Sequence, residues 1–175
     1  MTDPSRSDAD KSWEAQLGAL LDRTQLSALI DTYASGLDAG RFDEAWARSL
    51  FTEDVDLHYP VGSHRGHTGL LSFTREIMER WQRTQHLTTG HLITPHGDRA
   101  QLEWNLLAVH IHPDDDPARA GLEPFRIGGR FEADAVRTPA GWRFARMSLR
   151  IIWTSGSPAT GVPASAVVPP TPLDR

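Results

Sequence analysis

The chain contains no cysteine. That excludes disulfides, thiolate metal sites and a cysteine nucleophile. Lysine occurs once, at Lys11, and every other basic side chain is arginine, which reads as codon bias from a GC-rich genome rather than as function. Acidic residues outnumber basic ones, 23 to 18, for a net charge of -5. No basic surface for nucleic acid or anionic membrane is therefore expected. No apolar run approaches the roughly 18 residues that a membrane span needs. Residues 1–11 lack the basic start and apolar stretch of a signal peptide, so a cytoplasmic protein is expected. Dinucleotide and phosphate loops are missing as well. Ser63 and Ser148 stand outside any nucleophile elbow.

What is present is the composition of one globular domain: 175 residues, 39% hydrophobic and 23% charged. Residues 1–15 and the Pro/Ala-rich residues 155–175 read as flexible tails, which leaves 16–154 as the domain. Asp22-Arg23-Thr24-Gln25 precedes Leu26, Leu29, Ile30, Tyr33 and Leu37, the spacing of an amphipathic helix. Gly40 should end it. A short helix carries Phe42, Ala45, Trp46, Leu50 and Phe51. Val55 to Tyr59 alternates as a strand and stops at Pro60. A third helix, opened by Gly66-His67-Thr68-Gly69, buries Leu70, Phe73, Ile77, Met78 and Trp81.

The period then changes to two. Strands are expected at about 86–94, 99–112, 123–137 and 141–153, joined by turn residues into an antiparallel meander. Three helices followed by a strongly curved antiparallel sheet make an α+β half-cone, with the helices on its concave face and a pocket at its mouth.

Four residues are candidates for acid–base chemistry. Asp38 ends the first helix, and His86 begins a strand. His110 shares a face with Ala100, Leu102, Trp104, Leu106 and Ala108, where a histidine needs a partner. Tyr59 shares the core side with Val55 and Leu57, so His58 should face out. The blander alternatives are a solvent-facing Asp38 beside the helix-ending glycine and a hydrogen-bonded core histidine at 110. His110 and His112, with Asp114, Asp115 and Asp116 beyond, are the best metal candidates. No metal is expected, because the local ligand signatures are missing and the acidic run suits a solvated loop. Gly128-Gly129 inside a strand suggests a bulge or a close approach to a ligand.

The layout resembles the SnoaL-like branch of the NTF2-like superfamily over about residues 20–153. The resemblance is carried by Tyr33-Ala34-Ser35-Gly36-Leu37-Asp38, by Trp46 through Phe51-Thr52-Glu53-Asp54, by Gln85-His86 and by Gly141-Trp142-Arg143-Phe144. Within that group the pattern is most similar to the scytalone dehydratases, which remove water from a cyclic hydroxyketone without a cofactor. The resemblance implies a catalytic histidine at His86, a second histidine, His110, paired with Asp38, and a water-holding tyrosine at Tyr59. It departs at Leu37, where the family has a second tyrosine. It also departs near Gly129 and Phe131, where it has polar substrate contacts, and in the C-terminal segment.

The function implied is a cofactor-free dehydratase acting on a small cyclic or polyketide-derived hydroxyketone. His86 would be the base, His110 the acid held by Asp38, and Tyr59 the group that polarises the carbonyl. A SnoaL-type polyketide cyclase or ketone isomerase uses the same proton abstraction. A non-catalytic binding protein is the third reading, and it expects Asp38 and His110 beyond bonding reach. Trp46, Trp81, Trp104, Gly129 and Phe131 are expected to line the substrate pocket. Leu107, Val109, Ile111, Met147 and Leu149 are expected on the outer sheet face, which supports a homodimer or homotrimer.

Overall fold

The computed structural model describes residues 4–115, 119, 121–163 and 166–167. The order of elements is α1 (Pro4–Asp38), α2 (Glu44–Leu50), β1 (Phe51–Tyr59), β2 (Gly62–Arg65), α3 (Leu70–Met78), β3 (Arg83–His96), β4 (Arg99–Ile111), β5 (Phe125–Thr138) and β6 (Gly141–Ser155). Among the described residues no helix is long and apolar enough to cross a membrane.

Three helices pack on one six-stranded sheet in the order β2-β1-β6-β5-β4-β3. The meander β3 to β6 is antiparallel, as its short turns require. The sheet as a whole is mixed, because β1 runs parallel to β6. That pairing adds one parallel neighbour to the expected antiparallel meander. β1 and β6 are distant in the chain, with β2, α3 and β3 to β5 between them. The two-residue link Pro60-Val61 also folds β2 back on β1 as a short hairpin.

Alternation on β4 is strict. Ala100, Leu102, Trp104, Leu106, Ala108 and His110 are buried, and Gln101, Glu103, Asn105 and Leu107 are exposed. β6 breaks its own alternation. Asp134 pairs with Arg146 and Ala135 with Phe144, so Ala145 is an extra residue. The bulge turns Met147 and Leu149 to the concave side. They were expected outside; instead Met147 is in the core and Leu149 faces a cavity.

α1 begins at Pro4 rather than near Asp22, so residues 4–15, expected in a tail, are helical. Gly18 is the only glycine between Pro4 and Asp22, and nothing else there stops a helix. Leu26, Leu29, Ile30, Tyr33, Ala34 and Leu37 are the buried stripe of α1. Gly36 lets α2 approach, since a Cβ there would run into the Trp46 indole. Gly40, at φ 63°, ends the helix in the left-handed region.

The C-terminal segment lies against the domain as far as it is described. Gly156, at φ 79°, lies directly over the Pro124 carbonyl and turns the chain back across the cone. Ser157 N–H donates to Glu123 O, and the His112 Nε2–H donates to Ser157 O at 2.9 Å. Arg80 Nη1 donates to Gly161 O at 3.2 Å. Ala159 and Ala166 are buried. Residues 156–163 and 166 therefore form a strap. Residues 1–3 and 168–175 of the expected tails lie outside the described residues.

Candidate active site

The seam between α1 and the edge strand β3 positions the reactive groups. Arg23 donates to Ile93 O at 3.0 Å, Ser27 Oγ meets His91 Nδ1 at 2.8 Å, and Thr88 donates to Asp31 at 3.1 Å. A bulge between Thr89 and Leu92, with Gly90 at φ 64°, re-aims His91 toward the helix. The last rung of this seam is Asp38.

Asp38 accepts three hydrogen bonds from β3. His86 Nδ1 lies 2.6 Å from Oδ1, the His86 backbone N–H 2.9 Å from Oδ2, and Thr84 Oγ1 2.9 Å from Oδ1. Partial burial opposes the charge on Asp38. The bonds from His86 and Thr84 outweigh it and hold the carboxyl below its usual range. Because the carboxylate can only accept, His86 carries a proton on Nδ1, and in the neutral ring Nε2 is the nitrogen with the free lone pair. The His86 side chain is 8% exposed and that of Asp38 is 27% exposed.

This pairing corrects the expected one. Asp38 bonds His86, not His110, because Thr84 and His86 are two apart on β3 and both face the end of α1. His110 is 6% exposed, and its Nδ1 lies 3.3 Å from the Phe125 carbonyl. A carbonyl only accepts, so His110 also carries its proton on Nδ1. Burial drives its pKa down to about 4, and the adjacent His86 adds to the effect. The two imidazoles are 5.5 Å apart at 89°. At neutral pH His110 is uncharged and cannot supply a proton as an imidazolium.

Both histidines line a cavity of about 110 Å³, the same order as the roughly 150 Å³ hole that admits benzene. Tyr59 lines it too, with its ring stacked on Phe73 at 6.3 Å. Its hydroxyl is 3.1 Å from that of Tyr33. Burial raises the Tyr33 pKa to about 12 and that of Tyr59 well above its usual value, so both stay protonated. His58 faces outward and pairs with Asp56 at 3.1 Å.

Of the expected pocket residues, Trp81 and Phe131 line the cavity. Trp46, Trp104 and Gly129 do not. Trp46 lies behind Tyr33 at 6.4 Å, and Trp104 stacks behind Phe131 at 4.8 Å and 11°. Gly129 is pressed against Leu149 Cδ1 and Arg150 O, so its missing side chain serves strand packing rather than a ligand.

Sequence reasoning treated Tyr33 only as part of an apolar stripe. It is one of only two tyrosines in the chain, and their hydroxyls meet. Arg80 and the strap residues Val162 and Ala166 were missed as cavity walls. The metal candidates do not converge. His112 is engaged with Ser157, and among the described residues no three metal-binding side chains cluster. Asp116 lies outside the described residues.

Among curated proteins no sequence matches this chain. Solved structures match the fold. A proposed scytalone dehydratase from Novosphingobium aromaticivorans is 20% identical at a TM-score of 0.70, covering 89% of this chain and 97% of its own. A hexachlorocyclohexane dehydrochlorinase, LinA-type3, from Novosphingobium barchaimii is 16% identical at 0.69, covering 81% and 94%. A nuclear transport factor 2 (NTF2-like) superfamily protein from Salmonella enterica is 18% identical at 0.64, covering 83% and 98%. The SnoaL-like domain model matches residues 18–148, and the chain belongs to that family, on an NTF2-like fold.

Proposed function

We propose that this protein is a cofactor-free lyase, a dehydratase that removes water from a small cyclic hydroxyketone. The observation that carries the reading is the Asp38–His86 pair, which holds a proton on Nδ1 and presents Nε2 of the neutral ring as the base at the edge of a single-ring cavity. His86 Nε2 takes the proton α to the ketone, and Asp38 stabilises the imidazolium that results. One phenol of the Tyr33–Tyr59 pair donates to the other. The remaining O–H is free to donate to the enolate oxygen. The enolate then expels hydroxide from the β carbon. His86 Nε2–H, charged by the first transfer, returns its proton to that group, and water leaves. His86 thus serves as base and acid in turn, and His110 is not the acid.

A cyclase or isomerase would use the same proton abstraction without the expulsion. Incubation with a panel of small cyclic β-hydroxyketones separates these by product mass. Dehydration loses water, whereas cyclisation or isomerisation keeps it. His86→Ala should lose about 10²–10⁴-fold in rate. Full turnover in that variant would overturn the role of His86.

The binding-protein reading has one observation in its favour, since Asp38 and His110 form no bond. The carboxylate is nonetheless engaged with the other histidine, and this supports the enzyme reading. We further propose a cytoplasmic homodimer or homotrimer built on the outer sheet face. There Leu87, Leu107 and Ile152 are exposed, and Leu87 and Leu107 pair directly across β3 and β4.

A further inference from the structure

The Phe125 carbonyl fixes the His110 proton on Nδ1, which leaves Nε2 with a lone pair. Among the described residues no group donates to that nitrogen. His86 stands edge to face with His110, with ring centroids 5.5 Å apart, and makes its hydrogen bonds to Asp38. The rings around His110 are Trp81 at 4.8 Å, Phe125 at 6.2 Å and His86 at 5.5 Å, and the remaining side opens on the cavity.

We propose that His110 is a hydrogen-bond acceptor that selects ligands bearing a hydroxyl, rather than a proton donor to a leaving group. Most of the cavity wall is apolar, as at Leu37, Leu106, Ile127 and Ile151, and its other polar groups are His86, Arg80, Thr74 and the Tyr33–Tyr59 pair. A ligand that sets a hydroxyl against Nε2 satisfies the lone pair. One that sets a methyl there leaves a buried acceptor unpaired, which costs roughly tenfold or more in affinity. The ligand class is therefore a single ring with a free hydroxyl, placed so that the ring lies on the apolar walls. The inference rests on this cavity being the substrate site, but not on the reaction performed there.

The test uses phenol and toluene, which differ only by hydroxyl against methyl. Their affinities are measured calorimetrically at pH 7.5 for the wild-type protein and for His110→Phe, which keeps a ring and removes the acceptor. The preference for phenol is expected to fall at least about tenfold in the variant. Nitrogen-15 NMR of the histidine side chains provides a second readout that needs no variant. His110 should be the Nδ1–H tautomer, and phenol, but not toluene, should shift its Nε2 resonance. A proton on Nε2, a phenol shift confined to His86, or an unchanged preference in a folded His110→Phe would overturn the proposal. Failure of every hydroxyketone to turn over would overturn the dehydratase reading and leave these binding results standing.

Discussion

The buried, neutral His110 makes stability depend on pH in a defined window. Burial holds its folded pKa at about 4, against an ordinary 6.5. As pH falls, the unfolded chain takes up a proton that the folded chain refuses. The contribution is intact above about 6.5 and is lost on descent from there to about 4. At about 1.36 kcal/mol per tenfold change, the full gap amounts to roughly 3 kcal/mol. At pH 5.0 about 2 kcal/mol of it should be gone. The carboxylate of Asp38 titrates below this window, because its pKa is lowered, and its contribution disappears only in stronger acid. Urea unfolding at pH 7.5 and pH 5.0, for wild type and for His110→Phe, isolates the effect from the other seven histidines of the chain. Wild type should lose about 2 kcal/mol more between the two pH values than the variant does. Equal losses in the two proteins would refute the claim that His110 is held neutral by burial.

Two other expectations concern the frame of the site. Gly36→Ala puts a methyl into the Trp46 indole, so it should cost about 1–3 kcal/mol in urea unfolding, although alanine is the better helix former. A chain ending at Ser155 lacks Val162 and Ala166, two walls of the cavity, and Gly161 O, one of the acceptors of the Arg80 guanidinium. It should melt at lower temperature and bind a hydrophobic dye such as ANS more strongly than the full chain does.

The helix stripe from Leu26 to Leu37 and the alternation of β4 were plain in the sequence, because each segment has one wet face and one dry face. Residues 12–21 were harder to place, because they are exposed and a helical stretch that buries no face has no apolar period to read. β6 misled because the bulge at Ala145 shifts its alternation by one residue, and no residue type announces it. Asp38, Tyr59, His86 and His110 do meet around one cavity or its rim, but the carboxylate partner was misassigned. That choice depends on a backbone feature, the His86 N–H and Thr84 hydroxyl both reaching Asp38, which spacing alone does not reveal. Trp46 and Trp104 were placed too far forward. Composition identifies aromatic residues for a core but not which layer each one occupies. Tyr33 was legible in principle, since a tyrosine on a buried stripe must find a partner for its hydroxyl.

The central claim is that the Asp38–His86 pair is a general base facing a cavity that accepts a cyclic ketone. It is tested most directly by proton exchange on a simple ring ketone. Cyclohexanone in deuterated buffer is followed by NMR, with the protein present at several concentrations. Exchange α to the carbonyl should saturate with ketone and fall by about 10²–10⁴-fold in His86→Gln and in Asp38→Asn. Exchange no faster than the buffer alone, or equal in wild type and His86→Gln, would contradict it.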